Sequence, residues 1–416
     1  MNKSVMIPLG EVFLISNTSV APSSRSDETF MHYSIPSFDK AESPILQKGR
    51  DILSNKFVIN QPSILISKLN PRILRVWQVE PLSNVQNVCS TEFIVLRPKD
   101  PSIVELPFYY HVFNNTGFQE QLVLRQSGTT GSRMRVVPEH VLDIPIPLPP
   151  LPVQRRIAEI LGSVDAVMDS LRLSLDTLTR LEGQIIEHLL SRGINQSEYG
   201  THPSIGSVPT HWSILPLKSV LLKAQYGLSL PLMASKPANG IPVLRMNNIR
   251  HGILDISNVK FLSHIDVTPD YILEDGDVLF NRTNSLDLVG KSACYHANLI
   301  FPLTFASYLI RLKPNSNAII GNFLTLFLNS EKGQQQIRQI ITPGVSQANI
   351  SASNLMEILV PVPPVQEQTK IITFVHAIQK LKASYSAEKD RITSLKTALL
   401  SMLLTKHPAV EGVTHV

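Results

Sequence analysis

Hydrophobic and polar positions follow two rhythms along this chain, and each rhythm occurs twice. After Pro152, apolar residues fall at Ile157, Leu161, Val164, Met168, Leu171, Leu175, Leu178, Leu181, Ile185 and Leu189. That 4-3 spacing is one face of a long helix, interrupted near Glu182, where Leu181 is expected to take the seam. A second stretch runs Ile371, Phe374, Ile378, Leu381, Tyr385, Ile392, Leu395, Leu399 and Met402, with Glu388 as its break. Neither stretch has an internal proline; prolines precede both, and Gly193 suits a stop after the first. Each helix would have about 38 residues and span roughly 57 Å. A helix that long exceeds the diameter of a domain of ~150 residues, which disfavours two helices that each merely cover their own domain. A single apolar stripe needs a partner, and each helix has one in the other.

The second rhythm is short and β-rich. Ser63 to Ser67, Phe93 to Leu96, Asp277 to Phe280 and Ser307 to Leu312 read as strands, separated by Pro, Gly, Asn and Asp turns. Pro107 to Asn114 and Phe323 to Leu328 fit short helices between them. The globular parts are therefore expected to be α/β, in the mixed α+β sense.

The two rhythms repeat at one offset. Ile144-Pro145-Ile146-Pro147-Leu148-Pro149-Pro150 leads into Gln154, and 214 positions later Ile358-Leu359-Val360-Pro361-Val362-Pro363-Pro364 leads into Gln368. The same offset aligns Ile64 to Asn70 with Val278 to Asn284, and Phe113, Asn115 and Thr116 with Phe327, Asn329 and Ser330. Near the start, Ile7 to Phe13 aligns with Leu215 to Leu221 at 208, so about six residues separate the copies in length. Two copies of one domain-plus-helix unit are implied, as a pseudo-twofold internal repeat. The expected layout is a domain at 1–150, a helix at 151–192, a linker and second domain at 193–364, a second helix at 365–405 and a tail at 406–416. A whole domain lies between the helices, so an antiparallel pair is expected.

Composition narrows the class. The 416 residues leave room for two domains, and 43% hydrophobic with 17% charged residues suits a soluble globular protein. Two cysteines, Cys89 and Cys294, imply no disulfide framework and a reducing, cytoplasmic setting. No signal-peptide core or membrane span is expected. A net charge of +5 permits an anionic partner without demanding one.

A search for catalysis finds almost nothing. Ser285 to Ser292 resembles a phosphate loop that ends in Gly290-Lys291-Ser292, but Ser285 stands where its first glycine belongs. Ala293-Cys294-Tyr295 then reads as a strand, so the helix N-terminus that would hold phosphate is missing. The twelve histidines and two cysteines lack metal-ligand spacing. No metal, cofactor or catalytic residue is expected in this chain.

Polar and basic turns beside the strands stand out instead. The first copy offers Lys68, Asn70, Arg72 and Arg75, then Arg125, Thr129, Thr130, Ser132, Arg133 and Arg135. The second offers Arg245, Asn247, Asn248, Arg282, Asn284 and Lys291, with Ser346, Gln347 and Asn349 aligned to the Ser132–Arg135 segment. Arg, Asn and Gln can bond base edges bidentately in the major groove, while Lys, Ser and Thr suit phosphate oxygens. Ordinary solvated loops are the alternative. Matching positions that carry different base-reading letters in the two copies favour a double reader.

At these residues the chain resembles the specificity subunit of type I DNA restriction–modification enzymes. The resemblance rests on His32 to Asp39, Ser67 to Arg72 and Gly128 to Arg133 in the first half. In the second half it rests on Pro242 to Ile249, Gly276 to Asn284 and Leu288 to Lys291. The joins Pro147 to Gln154 and Pro361 to Gln368 match the family's passage from domain to spacer helix. Two departures are Thr369-Lys370 in place of Arg155-Arg156, and Thr342-Pro343-Gly344-Val345 in place of Gly-Thr-Thr-Gly. The resemblance implies two target-recognition domains, each reading half of a bipartite, asymmetric site on double-stranded DNA. Two antiparallel helices would set the unread spacer. It also implies two modification subunits that bind S-adenosylmethionine, and two restriction subunits that use ATP and magnesium. Lys68, Arg72 and Lys291 are expected on phosphates, and Arg133, Arg135, Asn247 and Gln347 on bases. The rival readings are a scaffold that does not bind DNA and a nucleotide hydrolase built on Lys291.

Overall fold

A computed structural model describes residues 6–127, 134–194, 198–250, 252–297, 301–344 and 347–405. The chain forms two compact units. The first runs to Arg172 and resumes at Ala387; the second is Leu173–Ser386. Each is mixed α/β.

In the first unit a four-stranded antiparallel sheet has the order Phe13–Ser16, Phe93–Pro98, Ser63–Ser67, Val76–Val79. The second unit repeats that order with Leu221–Tyr226, Leu309–Pro314, Val278–Asn281 and Ser292–Cys294. The register repeats as well, since Ile64 pairs with Leu96 and Val278 with Leu312. Strand Ser63–Ser67 is buried on both faces, which explains its continuous apolar run. Ile64 and Ile66 pack with Phe108, Tyr109 and Phe113 of helix Leu106–Phe113. Leu65 faces the other way, into a cluster with Tyr33 and Trp77. In the second unit Val278 and Phe280 likewise meet Phe323 and Phe327, while Leu279 joins Phe305.

Each unit adds a second sheet with one parallel pair, five-stranded in the first unit and three-stranded in the second. It joins Thr29–Tyr33 to Gln86–Ser90 in the first unit and Gly240–Leu244 to Thr304–Phe305 in the second. Two short helices follow the last strand of each four-stranded sheet. Asn115 caps Thr116–Leu124 by accepting from Phe118 N, and Ser330 caps Glu331–Gln339 by accepting from Gly333 N. The structural counterpart of Asn115 is therefore Ser330, one residue past the Asn329 that the constant offset selects.

Strand Met6–Pro8 pairs with Pro145–Pro147, and Ser213–Pro216 with Leu359–Val362. Their prolines are tolerated because these ladders have only two strands. Beyond them start the long helices Leu151–Arg192 and Val365–Thr405, of 42 and 41 residues and so about 63 and 61 Å.

The two helices meet with opposed directions in each unit. In the first unit Ile157, Ala158 and Leu161 share a core with Leu399 and Leu400, and Lys396 pairs with Asp165. In the second, Leu189 and Leu190 share a core with Ile371, Ile372 and Val375, and Glu182 is bound by Lys382 and Gln379.

The seam differs from the sequence expectation in two ways. Ile157, Leu161, Val164, Met168, Leu171, Leu175, Leu178 and Ile185 are buried or half-buried, but Leu181 is 42% exposed and Glu182 keeps its place in the repeat. On the second helix Phe374, Leu381 and Leu395 are 52%, 45% and 52% exposed. The inward face there is Ile371, Val375, Ile378, Lys382, Tyr385, Lys389, Ile392, Lys396 and Leu399, a 4-3 repeat without a break. Apolarity alone misplaces this seam, because lysine buries its methylene stem and delivers its ammonium to an acidic partner. Among the described residues, no helix is long and apolar enough to cross a membrane.

Candidate nucleic-acid interface

In both units the fold brings together the polar segments singled out in the sequence. In the first, the turn after Ser63–Ser67 is held open by Asn70, whose φ of 49° is left-handed, a region asparagine tolerates. Asn70 N donates to Met134 O at 2.8 Å, and Val136 N donates to Lys68 O at 2.9 Å. Gln119 Nε2 donates to Pro71 O and Arg72 O at 3.2 and 2.7 Å, fixing the turn to the capped helix. The second unit repeats the arrangement: Ile350 N donates to Arg282 O at 2.9 Å, and strand Thr283–Asn284 pairs with Ala348–Asn349. Lys68 and Arg282, like Val136 and Ile350, stand 214 positions apart, so one hydrogen bond is made twice.

The candidates in these segments are not equally free. Arg72 is exposed, and Lys68 and Asn70 are half-buried. Arg75 is buried and bonds both oxygens of Asp39, at 2.6 and 2.9 Å, which holds the Asp39 carboxyl below its usual range. It ties helix Ile35–Ala41 to the sheet and has no face toward a ligand. Arg135 is exposed with its guanidinium forked onto Glu92 at 3.0 Å twice. Arg125 folds back on Gln121. Thr129, Thr130, Ser132, Arg133 and Ser346 lie outside the described residues.

In the second unit Asn247 is exposed at the tip of a turn, whereas Asn248 is buried and spends its amide on Arg245 N, Asp255 O and Asn258 O. Arg245 donates to Asn258 O at 3.2 Å. Asn284 accepts from Ser285 N, Asn349 accepts from Thr283 Oγ1 at 2.7 Å, and Gln347 is exposed. Lys291 reaches Gln334 at 3.5 Å and leads directly into strand Ser292–Cys294. Among the described residues no cluster of His, Cys, Asp or Glu could hold a metal ion.

Arg282 is the best prepared of the basic groups. Its guanidinium lies 4.9 Å from the centre of the Tyr226 ring, its Nε donates to Ile350 O at 3.4 Å, and Tyr226 Oη accepts from Ala352 N at 2.9 Å. The side chain is thus ordered before any ligand arrives. Sequence spacing alone does not reveal this stack, since Tyr226 lies in a different strand.

The same duplicated arrangement is recovered when the chain is compared with known proteins. The family described as "Type I restriction modification DNA specificity domain" matches residues 1–180 and again 209–394. The chain belongs to that family. The type I restriction enzyme MjaVIII specificity subunit of Methanocaldococcus jannaschii is 24% identical over 365 residues, covering 86% of this chain and 83% of that one. The EcoKI specificity subunit of Escherichia coli K12 is 25% identical over 293 residues, covering 68% of this chain and 60% of its own length. In fold, the chain is similar to one solved in a study of complex assembly and conformational transition of the type I R-M system, with a TM-score of 0.59 at 20% identity over 97% of this chain and 98% of that one. The type I S subunit from M. genitalium gives 0.57 at 16% over 97% and 96%. The internal repeat is thus the family's specificity domain occurring twice in one specificity-type chain.

Proposed function

We propose that each domain reads one half of a bipartite double-stranded DNA site through its paired turns. Lys68, Asn70, Arg72 and Arg135 would serve in the first unit, and Asn247, Arg282, Asn284, Lys291, Gln347 and Asn349 in the second. The observation that carries this reading is the hydrogen bond made twice, Val136 to Lys68 and Ile350 to Arg282. The same backbone frame displays different side chains in the two copies, as two readers of unlike half-sites require. Arg75 and Asn248 stay out of the set because their polar atoms are already spent. Arg135 belongs to it only if it exchanges Glu92 for DNA, a trade that a phosphate or a guanine edge can offer.

The chain itself would be a non-catalytic recognition subunit of the cytoplasm. Two modification subunits would bring S-adenosylmethionine and methylate adenine, and two restriction subunits would bring ATP and magnesium. The outward apolar positions support a docking role for the helices. Val167 and Leu395 in the first unit, and Leu181, Phe374 and Leu381 in the second, are exposed beside the seam. Val167 and Leu381, like Leu181 and Leu395, hold equivalent places in the two helices, which suits two copies of one partner. The nucleotide-hydrolase alternative is disfavoured, because Lys291 opens a strand instead of a helix.

Mapping adenine methylation across the source genome, with this gene intact and deleted, tests the proposal. A bipartite motif that disappears on deletion is the expected result. An unchanged methylome, together with salt-insensitive behaviour and no DNA affinity of the assembled subunits, would instead favour a scaffold.

A further inference from the structure

The polar contacts in the two helix seams are arranged by sign. Gln154 and Gln368 begin the two helices in identical settings, so positions 214 apart in these helices are equivalent. By that equivalence Asp165 matches Gln379, and Lys396 matches Glu182. The structure shows Asp165 bonded to Lys396 in one unit and Gln379 bonded to Glu182 in the other, the latter at 3.0 Å. They are one contact seen twice. Lys382 adds a second bond to Glu182. These side chains are largely covered, with Glu182 14% and Lys396 23% exposed. The seam of the first helix thus carries Asp165 and Glu182, and that of the second carries Lys382, Lys389 and Lys396.

We infer that the seam is charge-coded, so that the first helix accepts the second and rejects another copy of itself. In the register just described, a first helix facing a first helix would set Asp165 against Glu182, twice. A second helix facing a second helix would set Lys382 against Lys396, also twice. Like charges in a half-buried seam repel with little screening, whereas the heterotypic pair gives Asp165, Glu182, Lys382 and Lys396 each an opposite charge. Apolar seam residues alone would allow either pairing, because both helices present similar Ile, Leu and Val positions. The code keeps two unlike domains on one helix pair and disfavours assembly of two like halves from different chains. It stands independently of what the domains read.

Four full-length variants test the code by melting and by solution mass. Reversing the first helix (D165K/E182K) or the second (K382E/K396E) is expected to lower the first melting midpoint by about 5 °C or more. All four reversals together are expected to restore it to within ~2 °C. Mixing the two half-reversed chains should give a species of doubled mass that neither forms alone, since like helices then carry opposite charges. The neutral variant K382M/K396M is the control, and it should melt above K382E/K396E. A neutral variant that melts as low as the reversal, or a fourfold reversal that recovers nothing, would overturn the inference by showing only a loss of local packing. An unchanged midpoint in both half-reversed chains would overturn it too.

Discussion

Gln154 and Gln368 make the same three hydrogen bonds, each from a fully buried side chain. Gln154 accepts from Glu105 N at 2.9 Å and donates to Ile103 O at 2.9 Å and Pro149 O at 2.8 Å. Gln368 accepts from Ile320 N at 2.9 Å and donates to Ala318 O and Pro363 O, both at 2.8 Å. Each glutamine pins the first turn of a long helix to the segment before the domain's pair of short helices. It also reaches back to the proline-rich strand exit. Leucine at either place would strand one amide and two carbonyls away from water. Gln154→Leu and Gln368→Leu should each cost about 2–4 kcal/mol, read by urea denaturation, with proteolysis revealing which unit loosens. Gln→Glu should fare no better, because a carboxylate cannot donate to the two carbonyls.

Arg75 and Arg72, three positions apart, should separate stability from recognition. Arg75 is buried while Asp39 is 47% exposed, so Arg75→Ala loses two charge-assisted hydrogen bonds and a packed stem but leaves a carboxylate that water can reach, and should destabilise by about 1–2 kcal/mol. Its preferred DNA sequence should not change once folding is restored at lower temperature. Arg72→Ala should leave the melting midpoint in place and reduce DNA affinity for all sequences alike. Its salt dependence should fall by about one unit of slope, as expected for one lost phosphate contact. A relaxed sequence preference in Arg75→Ala, measured by selection from a random DNA pool, would return it to the reading set.

His111 should make the first unit sensitive to mild acid. Its ring is 5% exposed, and Nδ1 stands 3.7 Å from Asp165 Oδ2 without a hydrogen bond. Burial pushes its pKa from 6.5 down to about 4, against the smaller raising effect of the Asp165 carboxylate. Above pH 6.5 the ring is neutral whether the chain is folded or not, and its contribution to stability is complete. As pH falls from there toward 4, the unfolded chain takes up a proton that the folded one refuses, so stability drops by up to about 3 kcal/mol. His111→Gln cannot titrate, and its urea midpoint should change less between pH 7 and pH 5. His32 and His376 are also shifted downward and should leave a residual slope.

The fold was legible where the repeat is written in apolar and proline positions. Ile64-Leu65-Ile66 against Val278-Leu279-Phe280 gives the central strand in each unit, and the two glutamines mark both helix starts. The seam of the second helix was not legible, because Phe374, Leu381 and Leu395 look like seam residues while the inward positions are Lys382, Lys389 and Lys396. Hydropathy ranks side chains by their polar ends, and packing uses their stems. The candidate interface was legible as segments and illegible as atoms. Arg75 and Arg72 read alike in a sequence; only the position of Asp39, thirty-six residues away, distinguishes a structural arginine from an available one.

Arg282 and Tyr226 provide the sharpest test of recognition in the second domain. The ring and Ile350 O fix the stem and Nε of the guanidinium, which would otherwise lose rotamer freedom on meeting DNA. Arg282→Ala should therefore weaken binding strongly, whereas Tyr226→Leu should keep the charge and lose only its ordering. The expected penalty for Tyr226→Leu is about 0.5–1 kcal/mol, or a factor of roughly 2–5 in Kd. Arg282→Lys separates two uses of the same group. If Arg282 meets a phosphate, lysine should preserve most of the affinity and all of the sequence preference. A forked contact to a guanine edge should instead be lost in Arg282→Lys, and one base pair of the second half-site should then become degenerate. Quantitative binding to a set of single-base variants of the mapped site, at two salt concentrations, distinguishes these outcomes, and an unaltered profile in Arg282→Ala would remove the residue from the interface.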